Sequence, residues 1–478
     1  MTVVIIIFFI TFIINLILGI TIVILERQQP AKTIAWLLIL LTLPPIGLIL
    51  YIFLGRNWKI SRLKDSSNTE AINTLVDSVI QNFPDKQYTP LIALLANNSH
   101  SPIFVNNEIT IFKDGIEKFA VLKKELLKAK HHIHLEYYIF RDDSLGNEIK
   151  DILIKKSLEG VKVRFIIDKV GSSKLKRRTI NELKNAGIEL IIYTYILAPL
   201  VKWINTQINY RDHRKLVVID GRIGFIGGIN IGDEYIGKSK LGYWRDTHIM
   251  VKGDFVLGLQ DAFFNDFKNI QKANTGLNFY EKDYLSYFPP SITAEKNYMQ
   301  LVKSGPNSEF PSIMHGMIKM ISMATKYVYI STPYFIPSES IMDALVLASL
   351  SGVEIKIIFP EKADHFLVNR ASRSYLAELL RCGAKVYFYD SKNFIHSKTL
   401  TVDGMLATLG TANMDRRSFE LNYELNAVIY DKKTTQKLDM LFIEDLKKCR
   451  EFTLKEYENQ NFFKKFIDSF ARIFSALL

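Results

Sequence analysis

The chain has 478 residues, nearly half of them hydrophobic, with 31 Phe and 22 Tyr, and a formal net charge of +12. That length accommodates two or three domains with sizeable cores, and the charge points to an anionic partner, either nucleic acid or acidic phospholipid headgroups. The two cysteines, Cys382 and Cys449, stand in no metal-ligand spacing and support no disulfide framework, so free buried thiols are expected.

Residues 3–25 are almost uninterrupted hydrocarbon. As a helix they would rise ~35 Å, enough to cross a bilayer core of about 30 Å. No basic start or small-residue cleavage site marks them as a removable signal, so they read as an anchor. A polar link at 26–32 leads to a second apolar run, 33–54, which Pro44-Pro45 should kink or interrupt. Arg56, Lys59, Arg62 and Lys64 follow it, against Arg27 and Lys32 in the link, which favours a cytoplasmic catalytic region. The first 55 residues are therefore expected to form a transmembrane helical hairpin, with a juxtamembrane helical segment at 56–104.

Beyond the hairpin the chain repeats itself. HHIHLEYYIF (131–140) is echoed by KYVYISTPYF (326–335), EGVKVRFII (159–167) by SGVEIKIIF (351–359), and LKNAGIELIIY (183–193) by LLRCGAKVYFY (379–389). Each half alternates strand and helix, with Gly-Val pairs opening strands after amphipathic helices, which argues an α/β fold. The expected lobes are 105–290 and 291–455, each a mixed sheet flanked by helices. The first half carries extra residues ahead of its motif, including APLVKWINTQINY (198–210).

The strongest match comes last. HRKLVVID (213–220) pairs with HSKTLTVD (396–403), both His-x-Lys-x4-Asp, and each is followed by a matched loop, GGIN with Gly228 and Asn230, and GTAN with Thr411 and Asn413. These motif regions span 207–234 and 391–418. Side chains alternate along a strand, so His213 and Lys215 should share one face, as should His396 and Lys398, while Arg214 and Ser397 point away. If the halves pack about a pseudo-two-fold axis, the two faces meet in one site shaped for a phosphate. Lys215 and Lys398 would neutralise nonbridging oxygens, and the loops with Asn230, Asn413, Gly228 and Thr411 would donate to them. Two histidines suit a division of labour, one attacking phosphorus and the other moving protons. Asp220 and Asp403 belong to the same catalytic motif, but fall on the opposite strand parity and should brace the turn. Asp246 and Glu424 are the better carboxylates to hold the imidazoles and fix their tautomers. His131, His132 and His134 read as satisfied core residues rather than metal ligands, and no metal or other cofactor is expected.

The closing residues, NFFKKFIDSFARIFSALL, space Phe462, Phe466, Phe470, Ile473 and Leu477 three or four apart, with Lys464, Lys465, Asp468 and Arg472 on the other side. This is an amphipathic helix within 456–478, one that either lies in a membrane interface or docks on the protein's own core.

The duplicated His-x-Lys-x4-Asp with Gly-x-x-Asn resembles the phospholipase D superfamily, and HLEYYIF (134–140), TPYFIP (332–337) and GTANMDRRSFELNYE (410–424) are similar to its bacterial cardiolipin synthase branch. The resemblance covers nearly the whole chain. It implies two like-folded lobes sharing one site, no required metal, and transphosphatidylation between two phosphatidylglycerols through a phosphohistidine. On the family's pattern His213 would be the nucleophile and His396 the acid/base. It also implies an enzyme of the bacterial cell membrane that takes an anionic phospholipid rather than nucleic acid. Oligomeric state is left open. The alternatives are another membrane-bound enzyme of the superfamily, such as a phospholipase D or a phosphatidylserine synthase, and an inactive scaffold. One departure is the Gly228 position, where many members carry a hydroxyl that only Thr411 supplies here.

Overall fold

The computed structural model describes residues 80–81, 83–193, 210–293, 295–362 and 364–473, with residues 6, 9–10, 12–17, 19, 30–43, 46–47 and 51 of the amino-terminal region. The chain divides into two compact units, Met1–Ser61 with Tyr195–Asn209, and Arg62–Thr194 with Tyr210–Ala476.

In the smaller unit a helix runs over Pro30–Thr42. It starts inside the expected polar link and stops short of Pro44-Pro45, where the missing N–H and the restricted preceding residue oppose helix. Asn15 Nδ2 donates to Leu40 O at 3.0 Å, and Gly19 lies against Leu37, so the two apolar runs pass each other in opposite directions. Among the described residues no helix is long and apolar enough to cross a membrane. Parts of both expected spans, the basic residues Arg27, Arg56, Lys59, Arg62 and Lys64, and nearly all of APLVKWINTQINY lie outside the described residues.

The larger unit shows the repeat directly. In the first half His132–Tyr137 lies between a parallel neighbour, Lys162–Asp168, and an antiparallel one, Lys215–Ile219. In the second, Tyr327–Ser331 lies between Glu354–Pro360 and Thr399–Val402 in the same senses. Outward on the parallel side follow Glu189–Tyr193 and Lys385–Tyr389. On the antiparallel side come Ile223–Gly227 and then Trp244–Gly253, matched by Leu406–Gly410 and then Asn422–Ile429. The Gly-Val pairs act as read from the sequence: Gly160 and Gly352 both adopt φ +92°, and the next residue donates back into the preceding helix, Val161 to Lys156 O and Val353 to Ala348 O, both at 3.0 Å. A left-handed residue ends a helix by satisfying its last carbonyls, and glycine takes that conformation without a Cβ penalty.

Two separate sheets were expected, and here the structure differs. Strand Ile103–Asp114 pairs with Lys296–Ser304 through its first residues and with Trp244–Gly253 through the rest, bulging at each contact. One long bulged strand can serve two sheets because a bulge re-aims the backbone, so the lobes are joined edge to edge. Each keeps its own apolar core. Helix Thr89–Ser99 precedes the first lobe in sequence, yet its Leu91 and Leu95 pack into the second lobe's core with Met317 and Met320. The thiols of Cys382 and Cys449 are free, and half-buried rather than buried.

Candidate active site

Each motif lies where the backbone crosses between lobes. Arg211–Asp212 pairs in parallel with Asn422 and Tyr423 of the second lobe, and His213 N then donates to Tyr423 O at 3.0 Å. The mirror image holds for Phe394–Ile395, which pairs with Trp244 and Arg245 before His396 N donates to Arg245 O at 2.7 Å. The histidines therefore sit at breaks just before their own strands rather than within them, because their backbone groups are already engaged by the opposite lobe. Lys215 Nζ donates to His213 O, and Lys398 Nζ to His396 O at 2.6 Å, which folds each ammonium back against its histidine. Arg214 and Ser397 do point away, Arg214 to Asp266 and Ser397 Oγ to Thr247 Oγ1 at 2.7 Å.

The side chains cross as well. His213 Nδ1 faces both oxygens of Glu424 at 2.9 and 3.0 Å, and His396 Nδ1 faces Asp246 Oδ2 at 2.7 Å. An ionised carboxylate can only accept, so each imidazole carries its proton on Nδ1; the Nε2 lone pair of His213 is left for chemistry, while His396 Nε2 lies 3.2 Å from Lys398 Nζ. Asp246 and Glu424 occupy equivalent places in the repeat: Gly228 N donates to Thr247 O and Thr411 N to Leu425 O, the residue after each carboxylate.

All four basic groups are buried. Burial pushes His213 down to about 4, against the attraction of Glu424 and with the help of Lys215 and Lys398. Burial, then Lys398, also lowers His396 against the pull of Asp246. Lys215 falls to about 7 and Lys398 to about 8, both through burial first. Burial acts to raise Glu424, but His213, Lys215 and Thr411 outweigh it and hold its carboxyl below the ordinary range. The charge of Lys398 is felt at His213 and at Lys215, and that of Asp246 at Lys215, so the residues of both motifs share one electrostatic site.

The loops behave differently from expectation. A Cβ on Gly228 would stand 2.2 Å from Asp246 Oδ1, so this glycine makes room for the carboxylate instead of lining a phosphate cradle. Thr411 Oγ1 accepts from Leu425 N at 2.8 Å and donates to Leu425 O at 3.2 Å, pinning the strand that carries Glu424. The departure at Gly228 thus has a local cause. The first repeat places the carboxylate where the second places a hydroxyl. Asn230 is committed to other partners, its Oδ1 accepting from Ile139 N at 3.1 Å and its Nδ2 donating to Tyr235 OH at 2.7 Å. Asn413 is held through its backbone N–H, which donates to Ser418 Oγ at 3.1 Å.

Asp220 and Asp403, counted with the catalytic motif in the sequence, do not reach the imidazoles. Seven residues of extended chain put them roughly 20 Å away. Asp220 accepts from the backbone N–H groups of Lys130, His131 and His132 at 2.8–2.9 Å. Asp403 accepts from those of Thr325, Lys326 and Tyr327 at 2.7–2.9 Å. Both have positive φ, 53° and 52°, so they are turn braces, as strand parity indicates. His132 and His134 are core residues on either side of Gln260, while His131 is exposed with Nδ1 against His132.

Sequence reasoning missed the aromatic walls. Tyr138 meets the His213 ring edge-on, with centroids 5.0 Å apart, and Trp244 lies 5.3 Å from His396. Tyr138 directly follows the buried strand of HLEYYIF, and Trp244 precedes Asp246 by two, so proximity to the motif partners was the available signal. Arg211, Arg417 and Arg141 surround Tyr138 with positive charge.

Comparison with known proteins reveals two matches to a family described as "Cardiolipin synthase, PLD-like domain", at residues 122–240 and 317–446. Curated relatives extend this over the full chain. A protein named "Cardiolipin synthase" from Oceanobacillus iheyensis is 41% identical over 98% of both chains. The chain belongs to the cardiolipin synthase family. The "Major cardiolipin synthase ClsA" of Bacillus subtilis is 40% identical, again over 98% of each chain. Residues 4–56 match a second family, "Phospholipase_D-nuclease N-terminal". Among solved structures, a phosphatidylserine synthase from Haemophilus influenzae aligns with a TM-score of 0.61 over 81% of this chain and 98% of its own, at 16% identity, which is a likeness of fold.

Proposed function

We propose that this cardiolipin synthase family member transfers a phosphatidyl group from one phosphatidylglycerol to another, giving cardiolipin and glycerol. The observation that carries the mechanism is the crossed pairing of His213 with Glu424 and of His396 with Asp246. His213 Nε2 uses its lone pair to attack phosphorus while the bond to the glycerol oxygen breaks. A protonated His396, sustained by Asp246, gives its proton to that oxygen. A hydroxyl of the second phosphatidylglycerol then loses its proton to His396 and attacks phosphorus, expelling His213. Lys215 and Lys398 neutralise the nonbridging oxygens, and a bound phosphate would restore the charge that burial weakens. The Nδ2 of Asn413 is a further candidate donor, whereas Asn230 positions Tyr235 and the Ile139 backbone.

The apolar runs at 3–25 and 33–54 fit a membrane hairpin. Among the described residues, Phe9, Ile13, Ile17, Ile34 and Leu38 are exposed large apolar groups, as lipid contact requires. The catalytic unit would then lie on the cytoplasmic side of the cell membrane, facing anionic substrate. The test is purified protein in vesicles with phosphatidylglycerol alone. Cardiolipin with equimolar glycerol supports the reading, and phosphatidic acid or no turnover contradicts it.

A further inference from the structure

The last helix, Phe462–Ile473, is mounted with its polar side inward. Asp468 is fully buried, 2.6 Å from Arg370 Nε on helix Phe366–Arg381. Arg472 pairs with Glu378 at 2.8 Å and covers the Tyr375 ring at 4.1 Å. Arg370 Nη2 donates to Lys464 O at 3.0 Å, and Ala471 is packed against Ile336 and Ala371. Together with the buried position of Asp468, these contacts set which side of the helix faces inward.

The consequence lies on the other side. Phe462, Phe463, Phe466, Phe470 and Ile473 are between 48% and 83% exposed. An amphipathic helix that docks on its own protein normally buries its apolar stripe, because removing large apolar side chains from water is favourable. This one gives up that gain. The stripe also continues onto the neighbouring helix. Contacts of Arg370 with Lys464 and Asp468, and of Glu378 with Arg472, make the two helices parallel, so Phe462 and Phe463 lie toward exposed Phe366.

We infer that this aromatic ridge is a membrane foot, a second bilayer contact that presses into the interface of an anionic lipid surface. Charge selects that occupant, because exposed Lys464 and half-buried Lys465 adjoin the ridge and the whole chain is at +12. Position agrees. Phe366 follows Asp364 by two residues, and Asp364 accepts from the Tyr334 hydroxyl and exerts its charge on His396 and Lys398. The foot therefore stands beside the catalytic site, where it would hold the site's edge against the surface that contains the substrate. The inference requires only an anionic surface and not the proposed reaction.

The test uses the full chain with Cys382→Ser and Cys449→Ser, reconstituted in phosphatidylcholine vesicles containing phosphatidylserine. A nitroxide is attached at Phe466→Cys, at Phe470→Cys in a second variant, and at exposed Lys155→Cys as a water-facing reference. At 466 and 470 the label should be relaxed more by oxygen than by a water-soluble nickel chelate, the reverse of 155. A ratio at both sites equal to that at 155 would overturn the inference. So would protection from both reagents, with or without spin–spin broadening in detergent, since the ridge would then be covered by protein, from a second copy or another part of this chain.

Discussion

His396 donates a hydrogen bond from its Nδ1–H to Asp246, 2.7 Å away and in the other half of the repeat. His213 does the same with Glu424. Neither lobe contains a complete imidazole–carboxylate pair, so the duplication yields one site instead of two. The crossing is carried by backbone as well as side chains, through His213 N to Tyr423 O and His396 N to Arg245 O.

Replacing either carboxylate by its amide should reduce turnover by about 10²–10⁴ without unfolding the protein. Glu424→Gln and Asp246→Asn can be compared with wild type by kcat and thermal unfolding. A loss of activity no larger than twofold in either variant would remove that carboxylate from the mechanism.

The pH dependence follows from the direction of the shifts. His213 lies at about 4, so the proposed nucleophile stays deprotonated down to that pH. His396 is lowered from its ordinary value by burial, so the protonated acid becomes scarce already below pH of about 6.5. Above this, Lys215 at about 7 and Lys398 at about 8 lose their charge in turn. The kcat/KM, which reports the free enzyme, should therefore fall as pH rises from 6 to 8, by about tenfold per unit where His396 alone titrates and more steeply once the lysines follow. Asp246→Asn should move that descending limb to lower pH, and a kcat/KM that climbs over this interval would contradict the assignment.

Gly228→Ala should be nearly as harmful as losing Asp246, since its Cβ would overlap the carboxylate at 2.2 Å. A loss of at least about 10² in kcat is expected from displaced proton chemistry. The comparison to make is Thr411→Ala, which frees Leu425 and relaxes Glu424 without filling space, and for which a smaller loss is expected.

Most of this site was legible in the sequence. The paired motifs named both histidines and both lysines, strand parity marked Asp220 and Asp403 as braces, and spacing pointed to Asp246 and Glu424. The loops were misread because a Gly-x-x-Asn pattern gives the residues but not what approaches them. Gly228 is small to admit Asp246, a contact between segments that sequence distance does not reveal. The joined sheets were missed because Ile103–Asp114 serves both lobes through bulges, which leave no periodic signature. The spacing of the closing residues reads as an amphipathic helix, and the structure places one at Phe462–Ile473. Periodicity finds an apolar stripe, but only the buried Asp468–Arg370 pair tells which side faces inward.

The braces make a prediction about stability rather than chemistry. Burial acts to raise Asp403, and hydrogen bonds from Tyr327, Thr325 and Lys326 outweigh it, leaving its pKa depressed. A depressed carboxyl contributes stability above its unfolded value of about 4 and loses it as pH falls through the folded value. Asp403→Ala should cost about 1–3 kcal/mol at neutral pH from unpaired backbone donors, and the gap from wild type should narrow in acid. Denaturant midpoints at pH 7 and near pH 3 check this, and a gap that widens in acid would be wrong for a brace.

If both lobes act on one phosphodiester through a covalent adduct at His213, the phosphorus of the substrate must pass through that residue. Rapid quenching of the wild-type protein with phosphatidylglycerol labelled on phosphorus, followed by peptide mapping under alkaline conditions that preserve phosphohistidine, tests it directly. The label should be found on His213 and be absent from His213→Ala. A label on any other residue, or full turnover with no adduct in either protein, would contradict the account.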